Sequence, residues 1–559
     1  MSQQPKSPKS RFPRKTIVVT LFLAIAVGVA QFMMGTLHDT MRIDPSVVNL
    51  LSMLVSFLIV VLWAIWFAFF ATRSRILGLV LGAACLSLPL VFHYLTSPVW
   101  DGDMGIARFD FRLFRSGSTP PPSVADPKLP PTTIDLSNLS PLDFPEFLGP
   151  NRTSTVQSIK LDPDWAKQEP QIVWKQPVGK GWSGVSVVNG FAFTMEQLGA
   201  DECVTCYSIE DGKLLWRYSN PQRHEDMPGM GKAGPRATPT IYNAKVYAQG
   251  AAGMLSCLDG ATGELLWKHD LCELLKIERS ERTDSEGFTY LEEKSPLAWG
   301  RSASPLVVGQ LVYVPGGGPT DGPFSTLLAF DKDSGELAWK SGDQMISYGS
   351  PSFATVAGKP QVLLVAEKTA MGFDPTSGKV LWSFSRPGTS NASANCSQVT
   401  VASDNHVLLT KGYGLGGELL ALEDNGSGIE VDSLWKSSRV LTTKFSNPVI
   451  LDGYVYALAD GFLECVNLKD GKMAWNLRER FGHGQLLLVG DLLLVQSESG
   501  RLRLYPAKPG KPTVLGDFQT INGVCWNTLC LSGDRLIVRS DLEMACVRLP
   551  VLSQKENSK

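Results

Sequence analysis

Residues 206–216 read CYSIEDGKLLW, and four later stretches repeat them: CLDGATGELLW (257–267), AFDKDSGELAW (329–339), GFDPTSGKVLW (372–382) and CVNLKDGKMAW (465–475). Each ends on Trp with Gly four places before it, at Gly212, Gly263, Gly335, Gly378 and Gly471. An apolar run, an Asp/Ser/Gly turn and a second run is the pattern of a β-hairpin. Two more strand-like runs precede each hairpin, as in ATPTIYNAKVYAQGAAGMLSCLDG (237–260). Four short antiparallel strands in a repeat of about 40–50 residues make a propeller blade.

Outward from these hairpins the Trp recurs at 174, 216, 267, 339, 382, 435 and 475, and Phe518 is assigned the eighth place. Eight closing positions predict eight blades, with the longer spacings read as insertions. After Phe518 come three strands, CWNTLCLSG, RLIVRSD and EMACVRL, with no fourth before a polar tail. At the other end IVWKQPV (172–178) is a closing strand without a blade. Joined to the last three it completes blade eight, and the ring has no open edge. No helical period of useful length follows residue 100.

The first hundred residues are of another kind. Thr16–Gly35, Pro45–Thr72 and Ile76–Trp100 are uncharged, and about 20 apolar residues span a bilayer. Residues 1–75 carry 8 basic and 2 acidic residues, so the rest holds −8 of the total −2. Lys6, Lys9, Arg11, Arg14 and Lys15 in the tail and Arg73 and Arg75 in the second loop put both on the cytoplasmic side, and the segment after the third helix outside. His93, beside Tyr94 and Trp100, reads as interfacial. Residues 116–145 are rich in Pro and Ser and predict an extended, semi-rigid tether. The expected organisation is a cytoplasmic tail (1–15), three transmembrane helices (16–95), an outer linker and leader (96–168), an all-β eight-bladed propeller (169–551) and a polar tail (552–559). A near-neutral chain with no basic tract beyond its N-terminus is not a nucleic-acid binder.

The hairpins resemble the PQQ-like, quinoprotein-type family of eight-bladed propellers, over about residues 144–551. FPEFLGPNRTS (144–154) is similar to the leader of bacterial proteins with such propellers. The resemblance implies one of two branches. Quinoprotein dehydrogenases hold PQQ and Ca²⁺ in the channel, usually under a disulfide between adjacent cysteines. BamB-type proteins catalyse nothing and act as scaffolds in outer-membrane protein assembly. This chain has no Cys-Cys pair, and no carboxylate or amide matches the Ca²⁺ ligands of the first branch. The non-catalytic branch is therefore expected, without cofactor or metal. A membrane-bound PQQ- and calcium-dependent dehydrogenase is the alternative, and a signalling ectodomain a third reading. The compartment expected is the periplasmic side of a bacterial inner membrane.

Motifs elsewhere have plain readings. Cys206, Cys257 and Cys465 lie ten before their Trp, where Ala329 and Gly372 stand in other blades, so they fill a small-residue packing slot. In Cys203-x-x-Cys206 the two side chains fall on opposite faces of one strand. Cys272 and Cys396 lie outside the slot, and sequence leaves their pairing open. Gly412-x-Gly414-x-x-Gly417 leads into ELLALED, a strand and not the helix a dinucleotide site needs.

The loops are more informative. Between-blade connections and second-to-third-strand loops emerge on one face of a propeller, and the tight Asp/Gly turns on the other. The insertions 217–235 and 268–300, and the loops 196–202, 315–325 and 411–418, all fall on the first face. Residues leading into the inner strands line the channel mouth there: Trp182, Arg236, Arg301, Tyr348, Lys444 and His483. Arg236 and Arg301 stand at nearly equivalent places in GPRATP and GRSASP, and are expected to converge as an exposed cationic pair on an anionic or extended peptide partner. Sealing of the channel between blades is the rival role for all six.

Overall fold

The computed structural model describes residues 13–41, 43–71, 74–111, 134–226, 231–284 and 286–552. The N-terminal tail to residue 12, Arg42, Arg73, most of the tether, residues 227–230 of the first insertion, the tail from 553 and the His93 side chain lie outside the described part. The chain forms two compact units, residues 1–117 and 118–559.

In the first unit three helices are long and apolar enough to cross a membrane: Arg14–Phe32, Pro45–Phe70 and Arg75–Phe92. Asp44 caps the second, its carboxylate accepting the Ser46 N–H at 2.8 Å ahead of Pro45 at the first turn. Gln31 donates to Asn49 and Ser52 at 3.0 and 2.9 Å, and the Trp63 indole to Thr20 at 3.0 Å; such bonds join helices in an apolar medium. The third uncharged run stays helical only to Leu95. Pro98 disfavours helix at Ser97, and Thr96–Trp100 instead pairs with Ile106–Phe111 as a β-hairpin. Its turn is held by Asp101, whose Oδ1 accepts the N–H groups of Asp103 and Gly105.

The second unit is an eight-bladed propeller of antiparallel four-stranded blades. Blade one is Ser186–Val188, Phe191–Leu198, Asp201–Ser208 and Leu214–Asn220. Blade eight takes Cys530–Ser532, Arg535–Arg539 and Glu543–Arg548 from one end of the chain and Gln171–Pro177 from the other, Cys546 pairing Trp174. Arg539 secures that closure from inside, donating to Thr194 Oγ1, Met195 O and Gly179 O of the first blade at 2.7–3.0 Å.

One device repeats around the ring. Trp174, Trp216, Trp267, Trp435 and Trp475 each donate an indole N–H to a carbonyl in the next blade's outer turn, at 2.7–3.1 Å. The hairpin glycines lie under these rings. Gly212, Gly263, Gly335, Gly378 and Gly471 have φ of 67–77°, and a Cβ there would come within 2.6–2.9 Å of the neighbouring indole. Both the turn and the close approach demand glycine. Seven blades carry a bulge in the third-to-fourth pairing beside the Trp.

Blade seven lacks the bulge, and it corrects the assignment of Phe518. Leu504 takes the place of Cys206 and pairs Gly516, so glycine occupies the Trp position and Phe518 lies two residues on. The indole filling that space is Trp165, from the leader, lying directly against Gly516.

The leader also alters the picture of the tether. Residues 134–145 are docked on the ring, with Ile134, Leu136 and Phe144 buried. Asn189 donates to the carbonyls of Asp135 and Asn138 at 3.0 and 3.1 Å. Residues 146–156 then fill part of the channel. Arg152 is 2% exposed; it pairs with Glu146 at 2.7 Å and donates to carbonyls of Ser304, Pro305 and Pro351 and to Thr240 Oγ1. Thr155–Val156 adds a parallel fifth strand to blade seven. Leu148, Asn151, Arg152 and Ser154 all take positive φ. Strain of this kind persists only where the surroundings over-determine it.

Candidate functional site

The long-loop face is built by the connections between blades. The strands reach further into it than the sequence suggests: the loop expected over 196–202 shrinks to residues 199–200, and that over 411–418 to residues 412–415. The Gly412–Gly417 stretch is a hairpin loop, as its sequence suggests. The insertion 268–300 holds a short helix, Leu271–Leu274, and a hairpin, Arg279–Thr283 with Thr289–Glu293. That hairpin is strapped to the first two blades: Arg223 pairs with Asp284 and Glu286, Lys180 with Glu286, and Tyr290 donates to Glu225 O at 2.9 Å.

At the mouth four rings from four blades meet. The rings of Trp182 (blade one) and Trp526 (blade eight) lie 4.4 Å apart, tilted by 36°. Phe445 (blade six) is 5.2 Å from Trp526 and 5.2 Å from His483 (blade seven). Glu498 fixes two of them, accepting the Trp526 indole N–H at 2.5 Å and the His483 main-chain N–H at 3.3 Å. Trp182 donates to Gly231 O at 2.5 Å, and Arg236 reaches the same carbonyl at 3.3 Å. Trp182, His483 and Arg236 are thus brought to one rim. Trp526, Phe445 and Glu498 complete it and were not singled out in the sequence. Trp526 could have been found, because VCWN in blade eight aligns with KGWS in blade one.

The two arginines do not form an exposed pair. The Thr238 N–H is donated to Ser304 Oγ at 2.9 Å, and the Ser304 N–H to Ser350 Oγ at 3.0 Å, a hoop that sets the register between blades. In that register Ser302, not Arg301, is the counterpart of Arg236. A one-residue offset in extended chain turns the side chain to the other side. Arg301 is 1% exposed, pairs with Glu293 at 2.9 Å and donates to Gly316 O at 2.7 Å. Arg236 is held by Asp226 at 2.8 Å and by the carbonyls of Gly231, Lys232 and Gly234. Tyr348 is buried, donating to Ser390 O and meeting Trp299 edge-on. Lys444 is buried, with Nζ 5.7 Å from the Tyr413 ring centroid.

Charge at this face is strongly desolvated. Burial raises Glu202 to about 7 and Asp226 to about 6, the nearby Arg236 opposing both shifts. Burial, aided by Arg236 and Arg282, drives His224 down to about 3. All ten cysteines are free thiols, Cys272 and Cys396 included, and burial raises Cys272 to about 12.

A closed ring of eight four-stranded blades, seven of them carrying the closing Trp, is the architecture expected of the PQQ-type propellers. The family profile described as "Outer membrane protein assembly factor BamB" matches residues 166–340 and 291–512, and the chain belongs to that family. It is 23% identical over 292 residues to the outer membrane protein assembly factor BamB of Moranella endobia (strain PCIT), over 50% of this chain and 67% of that protein. It is 26% identical over 194 residues to the quinohemoprotein alcohol dehydrogenase ADH-IIG of Pseudomonas putida, over 33% of this chain but only 22% of the enzyme. In structure it is similar to the quinohemoprotein alcohol dehydrogenase of Comamonas testosteroni, with TM-score 0.52 and 13% identity, over 75% of this chain and 83% of that one. Relatives therefore fall in both branches.

Glu498, Asp226 and Glu293 at this face already accept bonds from the chain's own donors, and no adjacent cysteines are present, so these carboxylates are engaged in the fold and give no support to a quinone with its calcium ion here. Among the described residues no three His, Cys, Asp or Glu side chains are grouped to share a metal.

Proposed function

We infer that the protein is a membrane-anchored binding module, facing the periplasm of a bacterium, whose propeller engages a protein or peptide partner with its long-loop face. The observation that carries this reading is the ring-filled mouth. Trp182, Trp526, Phe445 and His483, from four consecutive blades, fill one arc of the mouth with their rings, which leaves recognition to the loops around them. That surface is built of the strapped 279–293 hairpin, with Leu291 exposed, and the rim of Tyr413 over Lys444. Function on loops borne by a rigid scaffold is the common arrangement, and BamB-type relatives support a protein partner.

The test is PQQ with Ca²⁺ titrated into the full-length protein in detergent, together with photo-crosslinking from Leu291 and Tyr413 in native membranes. The expected result is no change in quinone absorbance, no dye-linked oxidation of alcohols or sugars, and a discrete crosslinked protein. A stoichiometric, Ca²⁺-dependent PQQ complex would overturn the reading in favour of a membrane quinoprotein dehydrogenase.

A further inference from the structure

The leader covers the inner strand edges of only part of the ring. Thr155–Val156 pairs with blade seven, Phe144 bridges Val187 of blade one, and Ile241 of blade two donates its N–H to Pro145 O. The inner strands of blades four, five and six are Ser352–Val356, Thr400–Ser403 and Val449–Leu451. Among the described residues each pairs only with the second strand of its own blade. They border a cavity of about 370 Å³ whose remaining wall is the leader, at Leu148, Asn151, Thr153 and Thr155. Phe353 and Val401, both in its lining, are 38% and 37% exposed.

An unpaired strand edge is a template for another extended chain. The lining has one ionisable side chain, Arg152, and its guanidinium is committed to Glu146 and to carbonyls of blades three and four. A charged occupant would therefore lose its hydration without compensation. The leader shows what the channel accepts next door: an extended Thr-Val pair running parallel to the inner strand of blade seven.

We propose that the inner edges of blades four to six form a peptide-binding site for an extended, uncharged, β-branched segment of another protein, continuing around the ring the interface that the leader makes with blades seven, one and two. The site is separate from the long-loop face, and neither reading depends on the other.

The probe is a capped hexapeptide of alternating Thr and Val carrying a benzophenone, added to the full-length protein in detergent. Saturable binding is expected, with adducts on Ala354, Val401 or Ile450. Val401→Trp narrows the cavity and should weaken binding at least tenfold at an unchanged melting temperature; Ala354→Trp serves if that variant does not fold. Absence of saturable binding, adducts on the long-loop face, or unchanged affinity in a folded variant would each sink the proposal. A benzophenone placed at Val401 tests the remaining occupant: an adduct with residues 112–133 of the same chain makes the site internal and overturns it as well.

Discussion

Glu202 lies between blades one and two, with Oε1 accepting the Ala251 N–H at 2.7 Å, and burial raises its pKa from 4.5 to about 7. The folded protein holds that proton more tightly than the unfolded chain. Its contribution to stability is therefore most favourable below pH 4.5, declines as pH rises to about 7, and is flat above. At about 1.4 kcal/mol per pH unit, the displacement is worth roughly 3 kcal/mol. His224 acts with the opposite sign, since its lowered pKa makes the fold lose stability as pH falls from 6.5 towards 3. A variant separates the two. Glu202→Gln should raise stability at pH 8 by up to roughly 3 kcal/mol and leave it nearly unchanged at pH 4, read by denaturant titration at both values. Arg301 makes a second case. Removing one partner of a buried ion pair costs about 3–5 kcal/mol, because the other charge stays buried. Arg301→Ala should lower the melting temperature markedly, and Arg301→Met with Glu293→Gln should lower it less. Equal melting of Arg301→Ala and the parent would return this arginine to the exposed role its sequence suggests.

At the scale of the element, the Trp, its bulge and the next blade's glycine work as one unit. The bulge aims the indole out of its own sheet, and the missing Cβ lets it lie on the neighbouring turn. Where blade seven has Gly516 instead of Trp, the bulge is absent too, and Trp165 fills the space from outside the repeat. Trp165 is 3% exposed, at least as buried as the tryptophans of the repeat, of which Trp216 is 8% exposed. Trp165→Ala should therefore cost about 3–5 kcal/mol, comparable to Trp216→Ala inside the repeat. Chemical denaturation of the two variants side by side checks this; a loss below about 1 kcal/mol would make Trp165 peripheral.

For the whole molecule, blade eight joins the two ends of the propeller chain. Deleting residues 170–178 removes the strand that Cys546 and its neighbours pair with, and the ring should melt cooperatively at a lower temperature. Deleting residues 553–559 should change little, and similar melting of the two would count against the closure. The charge bias of the N-terminal unit adds a topological expectation. A reporter active only in the periplasm should be active when fused after residue 115 and silent when fused after Arg75, and the reverse pattern would put the propeller in the cytosol.

Local order was legible in the chain itself. The Gly-x-x-x-Trp hairpins, the eight-fold count and the strand split between the two ends follow from a two-residue alternation and from turns that admit little but glycine. Three helices follow from uncharged runs as long as a bilayer is thick. What escaped depends on which strand faces which across the ring. The one-residue offset that buries Arg301 is set by the Thr238–Ser304–Ser350 hoop, whose bonds join residues more than 40 positions apart. Trp165 over Gly516 and Arg152 in the channel belong to no repeat, so no periodicity announces them. The paired arginines looked like a cationic rim because sequence records charge but not the carboxylate folded against it; Glu293 and Asp226 lie in insertions whose path only tertiary packing decides.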